Sequence, residues 1–175
     1  MRKWLILLCA LLILAVVNWG IWQNEQLIAK GETVLLELAP VDPRSLMQGD
    51  YMALRFAMAE AIREQLADSS DTLSGHVIVQ LDGKKRASLV ALDQQQALLP
   101  GQLRLQFRLR NGQVKFATNA FFFQEGTGNI YEQAKYGLFR VGSNGQLLLT
   151  HLVDAELQQL GQSKQLQATD AATRL

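Results

Sequence analysis

Cysteine, histidine and proline are scarce in this chain: one, two and three of them in 175 residues. The single Cys9 lies in an apolar run near the N-terminus, so the rest of the chain has no thiol with which to form a disulfide. Core burial must stabilise it instead. His76 and His151 are the only histidines, and neither has carboxylates at metal-ligand spacing around it. Both read as strand residues, and no metal is expected. No G-x-G-x-x-G, Walker loop or H-E-x-x-H occurs, and the glycines of EGTGN precede too short a helix to cradle phosphate, so no cofactor is expected. Strong net charge is also missing: outside Arg2 and Lys3, 15 basic residues face 16 acidic ones. The charges are unevenly placed. Residues 23–75 carry nine acidic and four basic groups, whereas residues 84–115 carry seven basic and one acidic. A positive region of this kind attracts lipid head groups, polyanions or the acidic half of the same chain.

What the chain does have is a long apolar run. Trp4 to Trp22 contains no ionisable carboxylate, amine or guanidinium, and at about 1.5 Å per residue such a helix comes close to the ~30 Å of a bilayer core. The run exceeds the core of a cleaved signal peptide, no A-x-A-like pair follows it, and Leu8 before Cys9 does not suit a lipoprotein signal. All three Trp fall within it, Trp4 at one end and Trp19 and Trp22 at the other, as interfacial aromatics do. The reading is a retained anchor over residues 1–22, in contact with the lipid bilayer from Trp4 to Trp22. Arg2, Lys3 and the terminal amine favour the cytoplasmic side, which places the remainder outside.

Beyond a juxtamembrane connector at 23–31, the pattern predicts an α+β domain over 32–153. It is a mainly antiparallel β-sheet domain with one or two short helices. Val34, Leu36 and Leu38 share one strand face, and Met52, Leu54 and Phe56 share another. Residues 58–68 read as a helix with Met58, Ile62 and Leu66 aligned. HVIVQLDGKKRASLVAL is a hairpin around Asp82-Gly83 whose register is open; a three-residue loop sets Val79 opposite Ala87 and Val77 opposite Leu89. Asn111-Gly112 makes a two-residue turn that pairs Leu109 with Val114, Phe107 with Phe116 and Leu105 with Thr118. Arg104, Arg108 and Arg110 point the other way with Lys115, so Arg108 opposes Lys115 on a face that reads as solvated, with head-group or partner binding as the alternative. The aromatics lie on the opposite face and cannot stack bases beside the arginines, so no nucleic acid is expected. Residues 125–137 read as a helix capped by Asn129 and ended by Gly137, and Asn144-Gly145 turns a last hairpin. The polar tail, 154–175, has too few large apolar residues to hold itself in place after about residue 160.

Two candidate chemistries emerge. Ser45, Gly49-Asp50-Tyr51 and the later Lys84-Lys85-Arg86 resemble the Ser/Lys arrangement of membrane-bound signal peptidases. The nucleophile of that family, however, lies in a Ser-Met-x-Pro-Thr setting well upstream of Gly-Asp, and Lys84 and Lys85 border an open turn. The closer resemblance is to the membrane-anchored bacterial proteins named for a GDYXXLXY motif. Gly49-Asp50-Tyr51-Met52-Ala53-Leu54-Arg55-Phe56 fits that motif with Phe56 for the final Tyr. Val41-Asp42-Pro43-Arg44 and a second block, Glu125-Gly126, Tyr131-Glu132-Gln133-Ala134-Lys135-Tyr136-Gly137 and Arg140-Val141, fit as well. The resemblance implies an anchored outer domain without an assigned reaction, in a family often encoded beside a polytopic membrane protein. The expected function is therefore an accessory or binding module acting with an envelope membrane protein, with a Ser/Lys hydrolase as the alternative. Turn and core requirements account for much of the motif but not for the polar ends of Arg44, Asp50 and Tyr51. All three tyrosines fall in the two blocks. With Glu125, Glu132 and Arg140 they equip either a hydrogen-bonding groove for a polar ligand or a buried polar network closing the sheet. Either way the two blocks are expected to meet, with Asp50 near Arg140 or Arg44.

Overall fold

The computed structural model describes residues 2–39, 51–66, 72–118 and 120–161. Helix α1 (Arg2–Lys30) is unbroken, so the connector expected at 23–31 is largely helical. The stretch Leu8–Lys30 is long and apolar enough to cross a membrane, and none of it is buried in the rest of the protein. Strand β1 (Glu32–Glu37) follows after a single residue, Gly31.

The described strands form three antiparallel sheets. In the first, β1 pairs with β8 (Tyr136–Val141), and β8 with β9 (Leu147–Val153). In the second, β2 (Tyr51–Ala53) pairs with β7 (Ala120–Phe122). The third runs in the order β4 (Ala87–Leu92), β3 (Thr72–Leu81), β5 (Gln102–Arg110), β6 (Gln113–Lys115). Two short helices complete the described elements, α2 (Ala57–Gln65) and α3 (Gly128–Tyr131). The alternating residues expected to face inward do so. Val34, Leu36 and Leu38 meet Met52, Leu54 and Phe56, together with Leu105, Phe107, Leu109 and Phe139, in one continuous core. Ile62 carries α2 onto it, fully buried. Phe56 is the hinge pin of this packing, edge-on to Phe116 at 5.7 Å and to Phe139 at 5.6 Å between ring centroids.

Local expectations fail where a distant partner intervenes. The stretch 125–137 forms one helical turn rather than a longer helix: Thr127 takes the N-terminal position, and Tyr136 and Gly137 leave it to pair with Glu37 and Leu36 of β1. Gly137 is therefore a strand residue and not a terminator. The β3–β4 hairpin sets Val79 opposite Leu89 and Val77 opposite Leu92, with a bulge between Ile78 and Val79. Its loop is longer than expected because the Asp82 carboxylate gathers it, accepting bonds from the N–H groups of Lys84 (2.8 Å) and Arg86 (2.9 Å). At Asn111-Gly112 both residues take positive φ, 51° and 70°, as a type I′ turn requires. Leu109 faces Val114 as expected, but the ladder stops at Lys115, so Phe107–Phe116 and Leu105–Thr118 are not strand pairs. Phe116 is still fully buried, and Ala117, at φ 44°, redirects the chain.

Candidate binding site

The first motif block divides between core and surface. Met52, Leu54 and Phe56 are buried, while Tyr51 stays half-exposed, its ring 5.7 Å from that of Phe122, to which it is also paired across the ribbon. Phe122 is 74% exposed, which is uncommon for a phenylalanine held in a strand. Successive side chains of β7 alternate, so Phe121 and Phe123 point to its other side, where both contact the ring of Tyr131 at 5.1 and 5.2 Å. Strand β7 therefore brings the two blocks together. It does so with Tyr51 on one face and Tyr131 on the other.

Tyr136 and Arg140 occupy a second place, the outer face of the β1–β8 sheet, with Leu35 and Leu138 between them. Tyr136 is buried beside Leu35 and Val153, and it borders a small surface recess together with Arg86. Arg86 donates to Asp82 at 2.7 Å, and this bond is the main cause that raises the Arg86 pKa. Hydrogen bonds from the backbone N–H of Arg86, and then from its side chain, hold the Asp82 carboxyl below its ordinary value. Arg140 donates from Nη1 to Gly31 O (3.1 Å) and to Thr33 Oγ1 (2.8 Å). Gly31 closes the last turn of α1, its N–H bonding to Leu27 O at 2.9 Å, so Arg140 places a cation on the carbonyl end of that helix. A Cβ on Gly31 would lie 2.4 Å from Leu27 O and 3.2 Å from the Arg140 Cβ, so only glycine permits this approach. Leu27 itself reaches over Gly142 at the β8–β9 turn.

Glu125 and Glu132 are exposed, beside the single turn of α3. Arg44, Ser45 and Asp50 lie outside the described residues, as does the tail beyond Gly161. Lys85, the lysine of the hydrolase alternative, pairs with Glu32 at 2.5 Å on the open surface.

On the cationic face, sequence reasoning missed the pairing of Arg104 and the wall that faces Arg108 and Lys115. Arg104 is not a solvated member of that face: Asp93 holds its Nε at 2.8 Å, and Gln96 O accepts from Nη2 at 2.6 Å. Arg108 and Lys115 do oppose one another, as expected. They line a groove of about 520 Å³ between the β5–β6 hairpin and the start of β9, with Gln106, Thr118, Gln146 and Leu148 among its other walls. The signal was the like-charge pair. The opposite wall comes from a strand about forty residues later in the chain, which no local pattern announces.

An apolar helix long enough to cross a membrane, joined through a single residue to an α+β domain of antiparallel sheets with surface aromatic and cationic features, is the architecture compatible with a membrane-anchored protein. The chain belongs to the GDYXXLXY protein family, which it matches over residues 13–152. No curated protein and no solved structure matches it.

Proposed function

We propose that the protein is a single-pass bacterial inner-membrane protein, N-terminus cytoplasmic and domain periplasmic, serving as an accessory or binding module for another envelope membrane protein. The charge asymmetry between Arg2-Lys3 and Glu25, the first charge beyond the apolar run, supports the orientation. The observation that carries the binding reading is the Tyr51–Phe122 pair, in which the half-exposed motif tyrosine of β2 lies beside the exposed phenylalanine of β7. Such aromatics, rigid and partly polar, are the residues that protein interfaces concentrate. Tyr131, Tyr136 and Arg140 act behind this surface by holding β7 and β8 in place.

Photo-cross-linking from position 122 in intact membranes tests the reading, with position 90, an exposed strand site on β4, as the control. A polytopic membrane protein joined at 122 and not at 90 is expected. No adduct at 122, or the same adducts at both, would overturn it. Protease added to spheroplasts should digest the domain; protection would reverse the orientation.

A further inference from the structure

We infer that the groove between the β5–β6 hairpin and β9 receives an extended, acidic segment of the partner protein, which adds as a strand to the open edge of β9. The inference rests on the binding-module reading and gives that module a second, chemically defined contact.

Three observations converge on it. First, Arg108 and Lys115 are directly opposite across the β5–β6 pair, both exposed, and no carboxylate among the described residues pairs with either. Like charges in that relation destabilise a hairpin. Arg104, on the same strand, is by contrast paired with Asp93. A site that holds two cations together without a counter-ion suits an anionic ligand.

Second, the groove is bounded by strand edges. Among the described residues strand β9 ends its sheet, so its outer side has no partner strand there in the order β1-β8-β9. At its far end the chain already covers that edge: Gln159 bridges antiparallel to Val153, and Leu160 N–H donates to Leu152 O at 2.9 Å. At the near end Gln106 N–H donates to Gly145 O at 2.8 Å and closes the groove. Between them, over Leu147–Leu149, no further backbone bond reaches the strand from its outer side among the described residues. An extended segment can pair there while its side chains meet Arg108 and Lys115.

Third, the open edge favours a protein over lipid as the source of the anion. An unpaired strand backbone is satisfied by the N–H and C=O groups of another backbone, which an extended peptide supplies and a lipid head group does not.

The test uses the full chain in nanodiscs of neutral lipid and calorimetric titration with a blocked hexapeptide of alternating Glu and Val. The Lys-for-Glu version and a copy N-methylated on one edge serve as controls. Binding of the acidic peptide alone is expected, weakened about tenfold or more by Lys115→Glu and by Arg108→Glu and less by Lys115→Gln. No binding to the unaltered chain, or equal binding by the charge-reversed variants, would overturn the site. Equal binding of the N-methylated peptide would replace strand addition with plain attraction and overturn it too. Vesicles of anionic lipid that bind through Arg108 and Lys115 while the peptide does not would identify head groups as the ligand. Cross-linking at 122 without peptide binding would leave the module reading standing and remove the groove; peptide binding without cross-linking would do the reverse.

Discussion

Arg140 and Arg108 both project from sheet strands, yet they sit in opposite electrostatic settings. Arg140 is half-buried and satisfied twice, by Gly31 O and Thr33 Oγ1, where β8 meets the end of α1. Arg108 is exposed and faces Lys115. A matched charge at a joint holds structure. An unmatched pair at a groove costs a little stability and leaves attraction to spare for a ligand. The difference separates the part of the molecule that fixes the domain on its helix from the part available to a partner.

The comparison can be broken from either side. The largest effect is expected from Phe56→Ala, which removes the ring wedged between Phe116 and Phe139 beneath β8. Unfolding in urea should show a loss of about 3–5 kcal/mol, against a change within about 0.5 kcal/mol for Arg108→Ala on the exposed face. Comparable losses would mean that the groove is as structural as the joint. Arg140→Ala comes next, at about 1–3 kcal/mol from losing charge-assisted bonds to Gly31 and Thr33. Spin labels on α1 and β8 should also report a looser joint, and unchanged label distances would contradict the clamp.

A smaller effect concerns the loop on the other border of β1, where Leu35 N–H donates to Lys85 O at 2.9 Å. Asp82, whose folded pKa is lowered by its bonds to Arg86, contributes stability that is present above the ordinary carboxylate pKa. That contribution is lost as pH falls through the lower folded value. The stability difference between the unaltered chain and Asp82→Asn should shrink from pH 7 towards strong acid. A constant or widening difference would deny the loop its role.

How legible each region was in the sequence follows from the same physics. Turns that need positive φ, such as Asn111-Gly112, announce themselves because few residues accept that conformation. The strand faces of Val34, Leu36 and Leu38, and of Met52, Leu54 and Phe56, were readable from period-two alternation, and all six residues are buried. The apolar helix and the family likeness were readable for comparable reasons, one by composition and the other by two ordered motif blocks. Tyr136-Gly137 was misread because glycine after a helical pattern is a local stop signal, whereas its pairing with β1 joins positions about a hundred residues apart. The acceptors of Arg140, a helix-end carbonyl and a threonine hydroxyl, could not be found from charge pattern in the sequence. Tyr51 alone of the tyrosines faces outward beside an exposed ring, and that depends on Phe122 arriving from β7.

The most direct test of the central claim is the thermal unfolding midpoint of the Lys115→Glu variant. Reversing that charge converts the Arg108–Lys115 repulsion into a cross-strand ion pair, so the account predicts a gain of about 0.2–1 kcal/mol, read as a higher midpoint. The same variant should bind the acidic peptide more weakly. A midpoint that falls would show that Lys115 holds the fold together as Arg140 does, and the distinction between joint and groove would be lost.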